Sequence, residues 1–386
     1  MAEMTTAATQ ADRSAAIART PWTLWTGLAI ILACEALLFY DVVQRDWLVV
    51  GRDVLPGNLP EPAGLTGEVA RWVAANMTGL CWIAYLLLFD GLLTWLARHR
   101  GERGITAIRA RPNRFLVAWL TSIPVWCFFD TVNFYWIDAW RYWGLPAEFW
   151  RRAAGYFVAF AAISPGMFLA AQLYQHLGMR RLRTAGPSPR LAWTLVLGIP
   201  AAIAASVLAL LATSSDAAGF WLSAAVLLLP GGLLALSRNL ALTSLGIGAS
   251  LVAWTFLARD PIANLTLWVG LIYLLDPIAR RAGLPSILRD WELGRFGRTL
   301  ALFAGGATCG LLWEFWNYWA IAKWTYHLPF LGGAERISYF EMPLPGFLGF
   351  LPFAVECWVM LNVIIAMFEK LGVPMAEPLP DEHGVM

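Results

Sequence analysis

Charged residues are scarce in this chain. Only 14% of its 386 residues are Asp, Glu, Lys or Arg, while 59% are hydrophobic. A soluble globular domain has about a quarter of its residues charged, because its surface has to be solvated. A water-soluble fold is therefore excluded, and the outer surface of this protein must face lipid.

The sequence also lacks the features of several other protein classes. The net charge is only +2, which argues against a nucleic-acid partner. The 4 His are scattered, and the 5 Cys lie in apolar segments without a Cys-x-x-Cys pair, so neither a metal site nor a disulfide is indicated. No glycine-rich nucleotide-binding motif or P-loop occurs. We therefore expect no cofactor and no metal, and we expect membrane lipids and a lipid-soluble small molecule as partners.

Long apolar runs are what the sequence has in quantity. Runs of about 20 apolar residues that end in charged residues are typical of transmembrane helices. We therefore predict an all-α, polytopic membrane helix bundle with about ten transmembrane helices. The predicted spans are 22–42, 74–97, 115–138, 155–178, 191–212, 218–237, 240–258, 262–279, 299–322 and 345–368.

The distribution of basic residues predicts the orientation of the bundle. Most of the 28 Lys and Arg fall on one side of it, notably in segments 98–114, 180–190 and 280–298. We therefore expect a bacterial-type inner (plasma) membrane protein with both termini in the cytoplasm. Residues 1–21 are expected to form a disordered cytoplasmic tail and 369–386 a second cytoplasmic tail. Residues 22–73 should comprise the first helix and an outer loop.

Two segments that lie 184 residues apart resemble each other. The window 130–142, DTVNFYWIDAWRY, aligns without gaps with 314–326, EFWNYWAIAKWTY. An even number of predicted helices separates the two windows, so both copies have the same direction in the membrane. We predict two parallel three-helix repeats, 74–178 and 262–368, joined by bridging helices in 179–261. The matched residues are Asp130 and Glu314, Asn133 and Asn317, Ile137 and Ile321, Trp140 and Trp324, and Tyr142 and Tyr326.

Each window places an acid inside a predicted span. Asp130 and Glu314 each precede an Asn by three residues, so acid and amide share one helix face. Ionisable groups in a bilayer cost on the order of a few kcal/mol and face the protein interior. Two carboxyls in a dry pocket could supply a proton, and the Asn amides could hold those carboxyls in place. Indole rings around the pocket could stabilise a cation. In the alternative interpretation, acid and Asn only bond helices together. Glu35, which stands alone, is expected to bond to a neighbouring helix.

A proline-rich acidic segment follows the second window. Residues 340–356, FEMPLPGFLGFLPFAVE, cannot begin a regular helix, which indicates a broken or re-entrant segment that lines a cavity, or else an interfacial hairpin. Glu314 is the leading candidate for a general acid, with Glu341 and Glu356 as partner or terminal base. The predicted catalytic residues are Glu314, Glu341, Glu356 and Asp130, and the predicted substrate-binding residues are Asn317, Asn133, Trp313, Trp324, Tyr326, Trp140 and Tyr142.

These motifs resemble the two-part lycopene cyclase domain and the related membrane carotenoid hydratases. An acid is followed ten residues later by Trp-x-Tyr and then by an acidic, proline-containing segment; the matching positions are Asp130, Trp140, Glu314, Trp324 and Glu341. The resemblance implies an intramembrane enzyme that protonates a polyene or isoprenoid and guides the resulting carbocation. The family has a Pro-x-Glu-Glu pair, whereas this chain has Glu341-Met-Pro-Leu-Pro without a paired Glu.

We therefore expect an integral membrane enzyme that acts on a lipid-soluble, carotenoid-like isoprenoid by acid-initiated cyclisation or hydration. Two other functions remain open. A secondary transporter also has parallel repeats, broken helices and intramembrane carboxylates. The chain could instead be an accessory subunit with a protein partner in a larger membrane complex.

Overall fold

The computed structural model describes residues 21–100, 107–184, 186, 240–258, 263–328, 337–373 and 384–386. Helices dominate this part of the chain. They are α1 (Trp22–Gln44), α2 (Gly64–His99), α3 (Ala107–Ala110), α4 (Pro112–Val132), α5 (Phe149–Ala161), α6 (Ile163–His176), α7 (Leu240–Ala258), α8 (Ala263–Arg281), α9 (Ile287–Glu292), α10 (Gly297–Tyr318) and α11 (Phe350–Lys370). The short strands are β1 (Trp140–Trp143), β2 (Lys323–Tyr326), β3 (Ser338–Tyr339) and β4 (Met342–Pro343).

Six helices are long and apolar enough to cross a membrane. They are Trp22–Gln44, Gly64–His99, Pro112–Ile137, Phe149–His176, Ala241–Ala258 and Gly346–Lys370. The prediction of a helical membrane protein is confirmed at this level. The predicted spans 262–279 and 299–322 are helical as α8 and α10, but are not among the six. The predicted spans 191–212 and 218–237 lie outside the described residues.

The helices differ in how much of their surface lies inside the protein. Only 28% of the apolar window of α1 is buried, compared with 72% of the window that includes α11. Large apolar side chains such as Leu32, Leu120 and Leu257 remain exposed on the outer helix faces. Since a bilayer solvates apolar surface, we infer that α1 is peripheral and α11 central.

Two peripheral helices pack closely on their neighbours through glycine. Helix α1 packs along α2, and α7 packs along α8. A Cβ atom added to Gly27 would lie 2.5 Å from the backbone nitrogen of Leu88, and one added to Gly248 would lie 2.4 Å from that of Leu274. Small residues at such crossings let helix backbones approach, which membrane bundles use for packing.

One end of the bundle is closed by strands that the all-α prediction did not include. Helix α4 continues as a π-helical turn, Asn133–Ile137, which ends one residue short of the predicted 138, and α10 ends at Tyr318, four residues short of the predicted 322. Strand β1 then pairs antiparallel with β2, which joins two segments far apart in sequence. Backbone pairing here satisfies polar groups that a loop would have to present to water.

The proline-rich segment is irregular up to the start of α11. Strands β3 and β4 pair with each other, and Phe340 in the turn between them has a positive φ of 55°. A 3₁₀ helix, Leu344–Gly349, leads into α11, which becomes regular only at Phe350. The predicted irregularity is present up to Gly349, but α11 begins at Phe350, inside the range 340–356 that was expected not to begin a regular helix, because Pro352 in its first turn has no backbone N–H to leave unpaired.

Candidate functional site

Three of the predicted catalytic acids are buried. The relative exposure is 6% for Asp130, 0% for Glu314 and 0% for Glu356. Asp130 is in the last turn of α4 and Glu314 in the last turns of α10, directly beneath the β1–β2 pair. The desolvation argument for intramembrane acids predicted this placement.

Glu314 is bonded through one of its two carboxyl oxygens. The Tyr326 hydroxyl on β2 donates to Oε1 at 2.6 Å, and the Trp324 indole Nε1 donates to that hydroxyl at 2.8 Å. Oε2 is buried and has no hydrogen-bond partner among the described residues. Burying an unpaired oxygen is energetically unfavourable, so Glu314 is a candidate for chemistry.

Asp130 has a related but better satisfied environment. The Trp140 indole Nε1 and the Tyr142 hydroxyl on β1 both donate to Oδ1, each at 3.0 Å. The Trp126 indole donates in turn to the Tyr142 hydroxyl at 3.1 Å. Each acid thus has a Trp and a Tyr from the strand that follows its own helix.

The two tyrosines remain hydrogen-bond donors. Burial raises the pKa of Tyr142 and of Tyr326 well above the ordinary value for a phenol. Both hydroxyls are therefore protonated at neutral pH and stabilise whatever negative charge develops on the neighbouring carboxyl oxygen.

The side chains of Asn133 and Asn317 bond to the backbone, whereas the sequence predicted that they would bond to the carboxyls of Asp130 and Glu314. Asn133 donates to the carbonyl oxygen of Trp140 at 2.8 Å and accepts from its amide at 3.1 Å. Asn317 does the same to Trp324, at 2.8 and 2.9 Å. These amides hold each strand to the end of the preceding helix, and they position the Trp and Tyr that reach the acids.

Indole rings form a continuous wall between the two acids. The Trp126 ring lies 5.9 Å from Trp140 and 5.3 Å from Trp313, and Trp313 lies 5.5 Å from Trp324. Offset and edge-to-face contacts at these distances are favourable. Trp126, one of the rings that the sequence suggested could line the pocket, links the Asp130 side of the wall to the Glu314 side.

Glu341 is held in an ion pair by Lys323, a residue that sequence reasoning missed. The Lys323 side chain is fully buried; its Nζ donates to Glu341 Oε1 and to the carbonyl oxygen of Tyr318, the latter at 2.9 Å. Burial lowers the pKa of Lys323, while the charge of Glu341 opposes that shift. The sequence did contain a signal for this pair. Lys323 is a lone Lys in an otherwise uncharged stretch, and a buried cation of this kind needs an acidic partner.

Glu356 lies apart from the hydrogen-bond network of Asp130 and Glu314. It is on the central helix α11, and both of its carboxyl oxygens are buried without a partner in the described part of the chain. The structure therefore brings Glu314, Tyr326 and Trp324 together, and likewise Asp130, Tyr142 and Trp140. It places Glu356 on a different helix, α11.

No family model matches the chain, and neither a characterised protein nor a solved structure is significantly similar to it. Nothing in these comparisons bears on the resemblance to lycopene cyclases. The function has to be argued from the geometry of the site.

Proposed function

We propose that this protein is an intramembrane enzyme that acts on a lipid-soluble isoprenoid by acid-initiated cyclisation or hydration. The observation that carries the proposal is the Glu314 carboxyl. It is fully buried, bonded to Tyr326 through one oxygen, and without a partner at the other among the described residues. The unpartnered oxygen could carry a proton toward a substrate, and the bonded one could spread the charge left behind.

In the proposed reaction, Glu314 Oε2 gives its proton to a carbon–carbon double bond. A C–H bond forms, the π bond breaks, and a carbocation remains on the neighbouring carbon. The indole faces of Trp313 and Trp324 would stabilise that cation. Attack by a second double bond or by water follows, and a base then accepts the proton that is released. Asp130 and Glu356 are the candidates for this base, because Lys323 already neutralises Glu341.

We also propose that the chain is an internal duplication with a two-fold axis along the membrane normal. The hydrogen bonds of Asn133 and Asn317 to their strands support it, since they match in partner and distance. The register of β1 on β2 supports it too. Trp140 pairs with Tyr326 and Tyr142 with Trp324, a pattern that is unchanged when the two windows are exchanged.

The duplicated unit proposed here has a further helix that the sequence alignment did not include. Gly27 of α1 packs on Leu88, two residues before Asp90, and Gly248 of α7 packs on Leu274, two residues before Asp276. Thus α1 and α7 make the same contact with the next helix. One unit would comprise α1, α2, α4, α5 and α6, and the other α7, α8, α10 and α11.

The enzyme proposal is tested by replacing each acid with its amide. Glu314→Gln keeps the size and the bond to Tyr326 but cannot donate a proton at neutral pH, so turnover should fall about 100-fold or more. Asp130→Asn should be milder. Product formation, or pigment change in a carotenoid-producing host, is measured beside the amount of folded protein in the membrane.

Full activity of Glu314→Gln at normal membrane yield would rule out Glu314 as the acid. If no isoprenoid product forms even with the unaltered chain, two rivals remain to be measured. Substrate-dependent proton flux into vesicles would support a carrier, and a stoichiometric protein co-purifying with the chain would support an accessory subunit.

A further inference from the structure

A second intramembrane acid lies in a groove outside the Glu314 site. The groove is formed by α1, α2 and α10, and its volume is about 410 Å³. Leu28, Ile31, Tyr85, Leu312 and Trp316 are among the residues that line it, together with Glu35. Cavities of this size accommodate a small molecule of moderate size.

Glu35 is bonded to one neighbour and has capacity for another. The Trp316 indole Nε1 donates to Glu35 Oε1 at 2.9 Å, as expected of an acid that bonds to a neighbouring helix. The second oxygen, Oε2, is buried and has no hydrogen-bond partner among the described residues. The structure thus provides a hydrogen bond to position the carboxyl and leaves one oxygen for a ligand.

The other polar groups of the groove are already engaged. The Tyr85 hydroxyl contacts the carbonyl oxygen of Gly166 at 3.4 Å and the Cys309 sulfur at 3.6 Å. The indole of Trp316 is used by Glu35. Among the residues that line the groove, Glu35 therefore carries the polar atom left for a ligand, and a bound molecule reaches Oε2 by displacing the side chains that now cover it.

The depth of Glu35 restricts the molecules that can reach it. It lies 13 residues after Trp22 in a helix of 23 residues, about 20 Å from one end and 14 Å from the other at 1.5 Å per residue. This places it near the middle of the bilayer. This depth favours a lipid-soluble ligand.

We propose that this groove binds a lipid-soluble alcohol, with its hydroxyl on Glu35 Oε2. A hydroxyl both donates and accepts, so it satisfies the carboxyl whether or not the acid carries a proton. The apolar body of the ligand packs against Leu28, Ile31 and Leu312. Prenols and reduced isoprenoid quinones share this chemistry. The inference does not depend on catalysis at Glu314, because it concerns binding at a different acid.

Equilibrium binding of labelled geranylgeraniol to the full chain in lipid nanodiscs tests the proposal, with the corresponding hydrocarbon that lacks the hydroxyl as reference. We expect the alcohol to bind more tightly than the hydrocarbon by about tenfold, the effect of one buried hydrogen bond. Glu35→Leu should abolish that preference, and Glu35→Gln should retain part of it. Ile31→Trp should weaken both ligands by filling the groove. Glu68→Leu, an exposed acid at the far end of α2, is the matched control and should change neither.

Equal binding of alcohol and hydrocarbon to the unaltered chain would overturn the proposal, since the groove would then bind the apolar part of the ligand without recognising its hydroxyl. An undiminished preference in folded Glu35→Leu, or no effect of Ile31→Trp, would overturn it as well. A parallel titration with a reduced isoprenoid quinone identifies which of the two sources binds more tightly. Loss of enzymatic activity in Glu314→Gln with normal alcohol binding would separate this site from the proposed catalytic one.

Discussion

At the scale of residues, the structure distinguishes acids that are satisfied from acids that are not. Asp130 accepts two hydrogen bonds on one oxygen, and Glu341 is paired with Lys323. Glu314 and Glu35 each leave one buried oxygen without a partner, and Glu356 leaves both, within the described part of the chain. Buried polar atoms are rarely unpaired by accident, so these three acids are where function should be sought.

Removing one member of the Lys323–Glu341 pair should destabilise the protein strongly, whereas replacing both members with apolar residues should not. Lys323→Met leaves the Glu341 charge without its partner and should reduce the free energy of unfolding by about 3–5 kcal/mol. The double change Lys323→Met with Glu341→Leu should be much less destabilising, because no lone charge remains. The thermal unfolding midpoint of the purified protein in detergent measures both. Lys370→Met, an exposed lysine at the end of α11, is the control.

Equal destabilisation by the single and the double changes would contradict this prediction. It would show that Lys323 acts through its aliphatic stem or its contact with the Tyr318 ring, whose centroid lies 4.9 Å from Nζ. In that case Glu341 would be free to take a catalytic role.

At the scale of elements, close glycine contacts set how the peripheral helices lie. Helix α7 approaches α8 at Gly248, while Gly246, two residues earlier, has nothing within 4 Å of an added Cβ. The two positions differ in helix face, since two residues correspond to about 200° of rotation. A larger side chain therefore has no room at Gly248 but has room at Gly246.

Gly248→Leu should separate α7 from α8 and destabilise the protein by about 1–3 kcal/mol, the usual cost of overpacking. Gly246→Leu, in the same helix, should be neutral. Unfolding midpoints of the two variants in detergent test the difference. Gly27→Leu should behave like Gly248→Leu if α1 and α7 have equivalent places in a duplicated unit. A neutral Gly248→Leu would show that these helices do not pack as described.

The short strands are elements with a positional role. Asn133 and Asn317 hold these strands in place, because each side chain accepts a hydrogen bond from the backbone amide of the Trp in the strand that follows. Strands β1 and β2 then bring a Trp and a Tyr back over each acid. A regular helix in place of β1 or β2 would carry those rings away from Asp130 and Glu314.

At the scale of the whole molecule, the basic residues predict an orientation in the membrane that can be tested. With Cys127, which is exposed, replaced by Ser, Asn58→Cys should react with a membrane-impermeant maleimide in intact cells. Ala282→Cys, on the side rich in arginine, should react only after lysis. The reverse pattern would place both termini outside, contrary to expectation. Labelling of both in intact cells would invalidate the assay.

Several features of this protein depend on local sequence alone and could be predicted from it. An apolar run of some 20 residues must be a helix in lipid, because only a helix satisfies its own backbone there. The burial of Asp130, Glu314 and Glu356 follows from the cost of placing an acid against hydrocarbon. The irregular start before Phe350 follows from prolines that cannot donate backbone hydrogen bonds.

Other features were decided only by the tertiary structure, because they depend on which distant segments meet. The pairing of β1 with β2, the ion pair of Lys323 with Glu341, and the bond from Trp316 to Glu35 join residues that no local pattern connects. The sequence places the amides of Asn133 and Asn317 on one helix face with their acids, yet these amides bond to the backbone of the strands that follow. Spacing along a helix determines which side chains share a face, whereas the packed neighbours determine which bonds those side chains make.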